Sequence, residues 1–288
     1  MSGTRSPAVI LTGHYLRKSD QTWVQRYRCQ LCKKSFSEAS FSQCYAQKKR
    51  QFNGIILKLS VGGYSQRRTA FELHLNRKTV VRKFILMGKM AQLGFPRLNA
   101  LYSQAEIIEF DDLETSEHSK CKPLSVTLAV QYKSRRILGF RVSQMPAKGK
   151  LASIARKKYG LRTDERPKAR ASLFTEMQEQ VSAFALIKSD QNPHYTHDVK
   201  KYFPQAKHQS FKGRRGCVVG QGELKRGGYD PLFTLNHTCA MLRANINRLF
   251  RRTWCTTKLA ERLGYHIAIY ALYHNLVLIH LNKKTTLV

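Results

Sequence analysis

The sequence predicts an α/β protein built around a mixed β-sheet with helices on its faces. Short apolar or alternating segments recur between positions 107 and 189, and segments of helical period lie before, between and after them. The 288 residues are enough for one sizeable core with a small added domain. Because 42% of the residues are hydrophobic and 10% are aromatic, we expect a folded chain and not a basic disordered tail.

The chain is strongly basic, with 51 Lys and Arg against 18 Asp and Glu and a formal net charge of +33. Cations recur along the whole chain, which predicts a continuous surface for a polyanion. Double-stranded DNA is the partner we expect. A ribosomal protein or a membrane-surface protein would carry similar charge, but neither would need the paired aspartates described below.

Cysteine usage and apolar stretches predict a cytoplasmic protein without membrane contact. The seven cysteines are an odd number and are scattered, and the first 20 residues lack the apolar run of a secretory signal. Residues 265–281 are apolar, but His266, His274 and Asn275 interrupt them. Because the stretch is also shorter than a bilayer-spanning segment, we expect a buried helix there.

Residues 1–49 are predicted to form a small strand-and-turn unit that resembles part of a zinc ribbon. Cys29-Gln-Leu-Cys32, followed by Lys-x-x-Phe, is typical of one zinc knuckle. Tetrahedral zinc needs four ligands, and no CxxC precedes this one. His14 and Cys44 are substitutes whose spacing is not that of a ribbon, so the sequence favours a half-lost ribbon over a zinc site. A start site placed too far downstream would explain the missing half.

Residues 50–93 show the pattern of a helix-turn-helix. Ser65 is a plausible N-cap for a helix at 66–74, and Asn76 can cap a second helix at 77–85. The apolar side chains predicted to face inward are Ala70, Leu73, Val80, Val81 and Phe84. The basic side chains predicted to contact DNA are Arg67, Arg77, Lys78, Arg82 and Lys83. A helical pair with a solvated basic face would look the same, and Gly94-Phe-Pro96 marks the expected boundary.

Residues 100–288 are predicted to form the core domain. Its strands are expected at 107–113, 124–130, 137–142 and 185–189. The second and third strands form a hairpin, and a helix at 171–184 leads to the fourth. Three antiparallel strands, a helix, a further strand and closing helices favour an RNase H-like fold. Residues 147–170 contain nine Lys or Arg and two acids, which predicts an exposed, partly helical, DNA-contacting insertion.

Two aspartates carry the predicted chemistry. Asp111 lies within the first strand and Asp190 follows the fourth, so both can face one pair of Mg²⁺ or Mn²⁺ ions. Two such ions would activate the attacking oxygen and stabilise the leaving oxygen of a phosphoryl transfer. Asp112 points to the opposite face of an ideal strand and is the fallback if the register slips.

A third polar residue, Asn236, is predicted to open an Arg-rich helix. On a helical wheel, Asn236, Arg243 and Asn247 share one face. The apolar residues Leu242, Ile246 and Leu249 occupy the other. An ordinary amphipathic helix would have the same pattern. Upstream, residues 211–230 hold six glycines and five Lys or Arg but lack the context of a P-loop, so we expect no nucleotide cofactor.

Together these motifs resemble the small prokaryotic insertion-sequence transposases of the DDE type. The resemblance rests on the helix-turn-helix, on Ile108-Glu-Phe-Asp-Asp112, on Lys188-Ser-Asp-Gln-Asn-Pro-His-Tyr195 and on the segment from Asn236 to Lys258. It spans about Gly13 to Asn275. It implies an RNase H-like nuclease after a zinc ribbon and a helix-turn-helix, active as a homo-oligomer on nucleoid DNA.

The resemblance also assigns site residues. Asp111 and Asp190 would be the first two Mg²⁺ ligands, and Asn236 stands where the namesake pattern has Glu. An amide oxygen can ligate Mg²⁺ without adding charge, and some relatives are understood to use Asn. Glu223 is the candidate if a third carboxylate is needed. The residues that would contact phosphate or orient water are His194, His237, Arg243 and Lys258, although a core histidine at 237 would fit the sequence equally well. The other DNA-binding residues predicted in this domain are Arg214, Arg215 and Arg251.

Three other readings of the sequence remain open. A helix-turn-helix transcriptional regulator would bind DNA with a silent core. A different nuclease of the same fold, such as a junction resolvase, would cut without joining strands. A catalytically decayed transposase copy would explain the missing ribbon half and the absent Glu.

Overall fold

The computed structural model describes residues 8–212, 230–250 and 253–281. The chain divides into two compact units, Met1–Ile56 and Leu57–Val288. The sequence predicted domain boundaries near 50 and 94. The observed division falls within helix α1 (Asn53–Val61).

The first unit contains a three-stranded antiparallel sheet. Its strands β1 (Val9–Arg17), β2 (Thr22–Cys29) and β3 (Ser35–Ser37) lie in that order. An ion pair of 2.6 Å between Arg17 and Asp20 closes the turn from β1 to β2. Because β2 ends at Cys29 and β3 begins at Ser35, the CxxC motif lies at the turn between these two strands.

In the second unit, helices precede, interrupt and follow the strands. After α1, the described elements in chain order are α2 (Gln66–Glu72), α3 (Arg77–Asn99), β4 (Ala105–Ser116), β5 (Pro123–Gln131), β6 (Ile137–Gln144), α4 (Leu151–Tyr159), α5 (Arg166–Met177), β7 (Val181–Asp190), α6 (Pro193–Tyr202), β8 (Lys207–Phe211), α7 (Phe233–Asn245), α8 (Ala260–Tyr273) and α9 (Ile279–Leu281).

Strands β4 to β8 form one mixed sheet of five strands in the order β6-β5-β4-β7-β8. The pairs β4–β5 and β5–β6 are antiparallel, while β7 runs parallel to β4 and β8 runs parallel to β7. The predicted mixed α/β sheet is confirmed, including the hairpin and the parallel fourth strand. Strand β8 is an addition, because its sequence Lys-His-Gln-Ser-Phe shows no apolar pattern.

Alternation along β4 separates two hydrophobic clusters, one on each face of the sheet. Ile108 and Phe110 belong to the cluster formed with α5 and α6. Leu113 belongs to the cluster formed with α3, α7 and α8. By the same alternation, Asp111 points toward the α7 side of the sheet and Asp112 toward the α5 side.

The predicted helix caps of α2 and α3 are confirmed. The Ser65 hydroxyl accepts a hydrogen bond of 3.2 Å from the Arg68 N–H, and the Asn76 side chain accepts one of 2.8 Å from the Lys78 N–H. Each bond satisfies a donor that the first helical turn cannot satisfy internally. The capping residues Ser65 and Asn76 therefore fix where α2 and α3 begin.

The predicted end of the second helix is wrong. Helix α3 has 23 residues and continues through Pro96 to Asn99, because its apolar face packs along α8. The two helices approach closely at Gly88, where an added Cβ would lie 2.4 Å from the Tyr265 Cβ. Helices α2 and α3 consequently share the compact unit of the sheet.

Lys83 was predicted to contact DNA, but it is buried with 5% exposure. It lies three residues after the buried Val80 and next to the buried Phe84, on the face that the rest of the unit covers. The sequence predicted a helix at 77–85 only, which was too short to show which face of α3 (Arg77–Asn99) is buried. Arg82, its neighbour, is exposed as predicted.

In and after the predicted insertion 147–170, the helix and strand bounds differ from those predicted. Helix α4 lies inside it, which confirms its partly helical character. Helix α5 begins at Arg166 and ends at Met177, so the helix predicted at 171–184 is displaced toward the N-terminus. Residues 181–184 belong to β7. Arg170, predicted to be exposed, is buried because α5 packs against the sheet.

Helix α7 begins at Phe233 and ends at Asn245, so Asn236 lies inside it and does not open it. Asn247 falls in a 3₁₀ turn after the helix, where the predicted helical wheel does not apply. The buried helix expected at 265–281 is confirmed in part. Helix α8 is mostly buried but ends at Tyr273, and Leu276 and Leu281 beyond it are exposed. Within the described residues, no helix combines the length and apolar character needed to cross a bilayer.

Candidate active site

The two aspartates predicted to bind metal lie on neighbouring parallel strands. β4 and β7 pair with Glu109 opposite Lys188. Continuing this register by two residues leads to Asp111 on one strand and to Asp190, the last residue of β7, on the other. Because residues two apart share a face of a strand, both carboxylates belong to the α7 side of the sheet.

The environment of Asp111 disfavours its charge. Burial, and after it the negative charge of Asp190, raises the pKa of Asp111 to about 7. Its Oδ1 atom accepts hydrogen bonds from the Asp112 N–H at 2.7 Å and from the Tyr195 hydroxyl at 3.1 Å. A divalent cation with oxygen ligands would relieve the repulsion between the two carboxylates, so the pair fits Mg²⁺ or Mn²⁺.

A hydrogen-bonded turn fixes the position of Asp190. Its carboxylate accepts the Asn192 N–H at 3.0 Å, and the Asn192 side chain accepts the His194 N–H at 3.1 Å, which caps α6. Pro193 opens α6, where its missing N–H costs nothing. The first turn of α6 then carries Tyr195 to Asp111, so one short segment positions groups around both carboxylates.

The side chain of Asp112 lies on the other side of the sheet, away from Asp111. It accepts a hydrogen bond of 2.5 Å from the Thr127 hydroxyl and lies 3.6 Å from the buried guanidinium of Arg170. Arg170 also donates to Asp198 at 2.7 Å. The alternation argument made from sequence is confirmed, and Asp112 is part of an ion cluster under α5.

Glu109 is a buried carboxylate near the site that the sequence reasoning missed. It is fully buried, and its Oε2 atom accepts the Leu235 N–H at 2.8 Å. Burial raises the pKa of Glu109, whereas this hydrogen bond and the charge of Lys188 act in the opposite direction. The signal was available, because Glu109 precedes Asp111 by two residues and therefore shares its face. Glu109 attaches the first turn of α7 to the strand that carries Asp111.

Helix α7 brings Cys239 and Arg243 into the electrostatic environment of Asp111. Burial, and after it the charge of Asp111, raises the pKa of the Cys239 thiol to about 12, although the charge of Arg243 acts in the opposite direction. Arg243 is partly buried, and its charge acts on the same thiol as that of Asp111. The effect of Asp111 on Cys239 was not predicted from the sequence.

Asn236 lies on the exposed side of α7, one turn before Cys239. Its amide nitrogen donates to Asp230 at 2.9 Å, and Asp230 also accepts the Leu232 N–H at 3.0 Å. This bond leaves the amide oxygen as the Asn236 atom suited to a cation. Asp230 therefore orients Asn236, a role that its position at the end of the Gly-rich segment did not indicate.

His237 contacts the guanidinium of Arg135, which donates to its Nδ1 atom at 3.2 Å. Burial and the charge of Arg135 lower the pKa of His237, so the ring is neutral at neutral pH. His237 thus holds a cation at the β5–β6 turn. His194, by contrast, is exposed at the start of α6.

Most described cations predicted to contact DNA are accessible. The exposed members of this set are Arg67, Arg77, Lys78, Arg82 and Lys258. Lys258 follows the buried Thr257, whose carbonyl accepts the His118 N–H at 2.8 Å just beyond β4. The predicted residues that lie outside the described residues are Arg214, Arg215, Glu223 and Arg251.

The CxxC motif forms a compact turn in the first unit. The backbone and side chain of Cys32 hold the pKa of the Cys29 thiol below its usual value. Next to them, the Gln30 N–H donates to the Ala8 carbonyl at 2.8 Å. Cys44 lies elsewhere and accepts a weak hydrogen bond from Asn53.

Among the described residues, no group of three or more His, Cys, Asp or Glu side chains is arranged to hold a metal ion. His14 and Cys44 therefore do not complete a zinc site with Cys29 and Cys32. The Asp111–Asp190 pair supplies two carboxylates, and within the described part of the chain any further oxygen must come from another residue type. No known protein family matches the chain, and a search of curated proteins found no relative.

Proposed function

We propose that this protein is a metal-dependent DNA transposase with an RNase H-like core. The observation that carries the proposal is the pair Asp111–Asp190, two carboxylates on adjacent parallel strands. Burial, and after it the negative charge of Asp190, raises the pKa of Asp111 to about 7. The sheet order, with three consecutive antiparallel strands followed by two parallel ones, supports the RNase H-like assignment. The net charge of +33 supports a DNA substrate.

When bound, Mg²⁺ or Mn²⁺ would activate a water or a 3′-hydroxyl and stabilise the leaving oxygen of the DNA strand. The residues of the chain hold and orient the reacting groups. Asp111 and Asp190 supply the carboxylate oxygens, and Tyr195 keeps the Asp111 carboxylate in one orientation. The Asn236 amide oxygen is the third donor, positioned by Asp230. Arg243 would neutralise phosphate charge in this proposal.

Helices α2 and α3 supply the DNA-reading surface in this proposal. The second helix presents Arg77, Lys78 and Arg82 to solvent in its first turns. These cations are suited to phosphates and base edges of the major groove. Exposed Lys258, near the C-terminal end of β4, would extend the phosphate-binding surface toward the carboxylates.

The direct test incubates the full chain with labelled duplex from the ends of its own element and Mg²⁺ or Mn²⁺. Asp111→Asn and Asp190→Asn should each reduce strand nicking and joining by about a hundredfold or more, because each removes a charged ligand. Glu106→Gln is the matched control, since Glu106 is an exposed acid on the same strand. Metal-dependent nicking that survives both Asp variants would contradict the proposal.

A catalytically silent DNA-binding protein is the second candidate. The amide at Asn236 favours this candidate. So does Cys239, because it is a thiol on α7 whose pKa the charge of Asp111 raises. Asn236→Ala separates the two candidates. It should lower nicking without changing DNA affinity if Asn236 is a working ligand. Tight DNA binding with no cleavage by the unmodified chain would support the silent protein.

A further inference from the structure

A cleft of about 900 Å³ runs along the outer edge of the sheet, beside β6. Residues 138–142 of β6 form its floor. Helices α3 and α8 form one wall, and α5 forms the other. The cleft is two strands away from Asp111, because β5 lies between β6 and β4. It is therefore separate from the candidate active site.

Strand β6 is an edge strand, with a strand neighbour on one side within the described chain. The protein itself covers the two ends of that edge. At one end, Asn275 accepts the Ile137 N–H at 2.9 Å and Asn99 donates to the Ile137 carbonyl at 3.1 Å. At the other end, the Gln144 carbonyl accepts the Glu165 N–H at 3.1 Å. The middle of the edge faces the cleft, and an open strand edge is a template for another strand.

The charge of the cleft is the reverse of the charge of the chain. Its lining contains Glu176, Glu179 and Glu261, all exposed, and one cation, Arg141. The whole sequence has 51 Lys and Arg against 18 Asp and Glu. The cleft therefore attracts a cationic partner that the rest of the surface repels.

Arg141 already makes the contacts that such a partner would make. Its guanidinium donates to the Phe140 carbonyl at 2.8 Å and pairs with the Glu176 carboxylate. An entering strand would offer a backbone N–H to the same carbonyl and a Lys or Arg side chain to the same carboxylate. Phe95, Leu173 and Met177 also line the cleft, and their buried side chains form the packed base beneath these polar groups.

We propose that this cleft binds an extended basic peptide, which joins the five-stranded sheet beside β6 as a sixth strand. Backbone hydrogen bonds to β6 give affinity, and Lys or Arg side chains opposite the three glutamates give specificity. A second copy paired through its own β6 fits less well, because the same three glutamates would then face each other. The inference is independent of the proposed DNA chemistry.

The test uses a fluorescein-labelled peptide of alternating Lys and Val and measures its binding to the full chain by anisotropy. The Lys–Val peptide should bind even though the chain is strongly basic, and a Glu–Val peptide should not compete for its site. The triple variant E176Q/E179Q/E261Q should weaken peptide binding about tenfold or more. The matched control is E72Q/E106Q/E114Q, which makes the same charge change at exposed acids outside the cleft and should keep affinity within about twofold.

Backbone pairing has its own readout. A Lys–Val peptide that is N-methylated on alternate amides cannot donate along one edge, so it should bind about tenfold more weakly or worse. Equal loss in the two triple variants, or indifference to N-methylation, would overturn the proposal. A concentration-dependent dimer that E176Q/E179Q/E261Q abolishes, measured by sedimentation, would assign the cleft to a second copy instead.

Discussion

The hydroxyl of Tyr195, on α6, donates a hydrogen bond of 3.1 Å to the carboxylate of Asp111, on β4, although the two residues are 84 positions apart in the sequence. Tyr195 is buried against Phe110, with ring centroids 4.8 Å apart. The tyrosine thus packs into one hydrophobic cluster while its hydroxyl reaches the carboxylate pair. It connects the core of the protein to the candidate site.

Tyr195→Phe tests whether this bond tunes the site. The variant keeps the ring packing but removes a hydrogen bond that favours charged Asp111, so the pKa of Asp111 should rise. The pH midpoint of Mn²⁺ binding should shift upward by about half a unit or more. Calorimetric Mn²⁺ titrations between pH 6 and pH 9 measure the shift. Tyr202→Phe, on the same helix, should leave the midpoint unchanged.

Asp111 should make the stability of the metal-free protein fall as pH rises. Folded Asp111 keeps its proton up to about pH 7, whereas its ordinary pKa is 3.8. Between these values the folded state binds more protons than the unfolded state, so raising the pH destabilises it. Asp111→Asn should therefore stabilise the metal-free chain at pH 8 by about 2 kcal/mol and have little effect at pH 4.

Urea unfolding at both pH values, without and with Mg²⁺, checks this prediction. Mg²⁺ should stabilise the unmodified chain at pH 8 and should not stabilise Asp111→Asn, because the variant lacks the charged ligand. Glu106→Gln should retain the response of the unmodified chain. An equal Mg²⁺ response in all three proteins would place the metal elsewhere.

The sequence predicted the sheet and the two aspartates because alternation and strand ends are local signals. It also assigned Asp111 and Asp112 to opposite faces, since period two requires this. It could not predict the length of α3, because packing against α8 keeps that helix intact past Pro96. Nor could it find β8, whose polar residues form a strand only because β7 offers them an edge.

Arg170 should contribute more to stability than a surface arginine. It lies between the carboxylates of Asp112 and Asp198 and is buried, so Arg170→Met would leave two partly buried acids without their cation. We expect a loss of about 3–5 kcal/mol in the free energy of unfolding. Arg68→Met, which removes an exposed pair with Glu72, should cost about 0.5 kcal/mol or less. Urea denaturation compares the two, and equal losses would contradict the prediction.

Gly88 should be required for the contact between α3 and α8. A Cβ at this position would lie 2.4 Å from the Tyr265 Cβ, so Gly88→Ala must push the helices apart. We expect a loss of about 1–3 kcal/mol. At Gly94 in the same helix, the nearest atom to an added Cβ is 3.9 Å away. Gly94→Ala should instead stabilise the protein by about 0.5–1 kcal/mol through helix propensity, and thermal unfolding should give shifts of opposite sign.

Arg82 and Lys83 are adjacent in sequence but should have different roles. Arg82 is exposed, whereas Lys83 is buried. Arg82→Ala should weaken binding to duplex DNA and reduce the slope of log affinity against log salt by about one, because one phosphate contact is lost. Its unfolding free energy should change by about 0.5 kcal/mol or less.

Lys83→Ala should behave in the opposite way. It should lower the unfolding free energy by about 1–3 kcal/mol, because it removes a buried side chain from the packed face of α3. The salt slope of DNA binding, measured by anisotropy at a temperature where both variants are folded, should remain that of the unmodified chain. If Lys83→Ala reduced the slope as much as Arg82→Ala, Lys83 would reach the DNA, and the buried position of its side chain would not describe the DNA-bound protein.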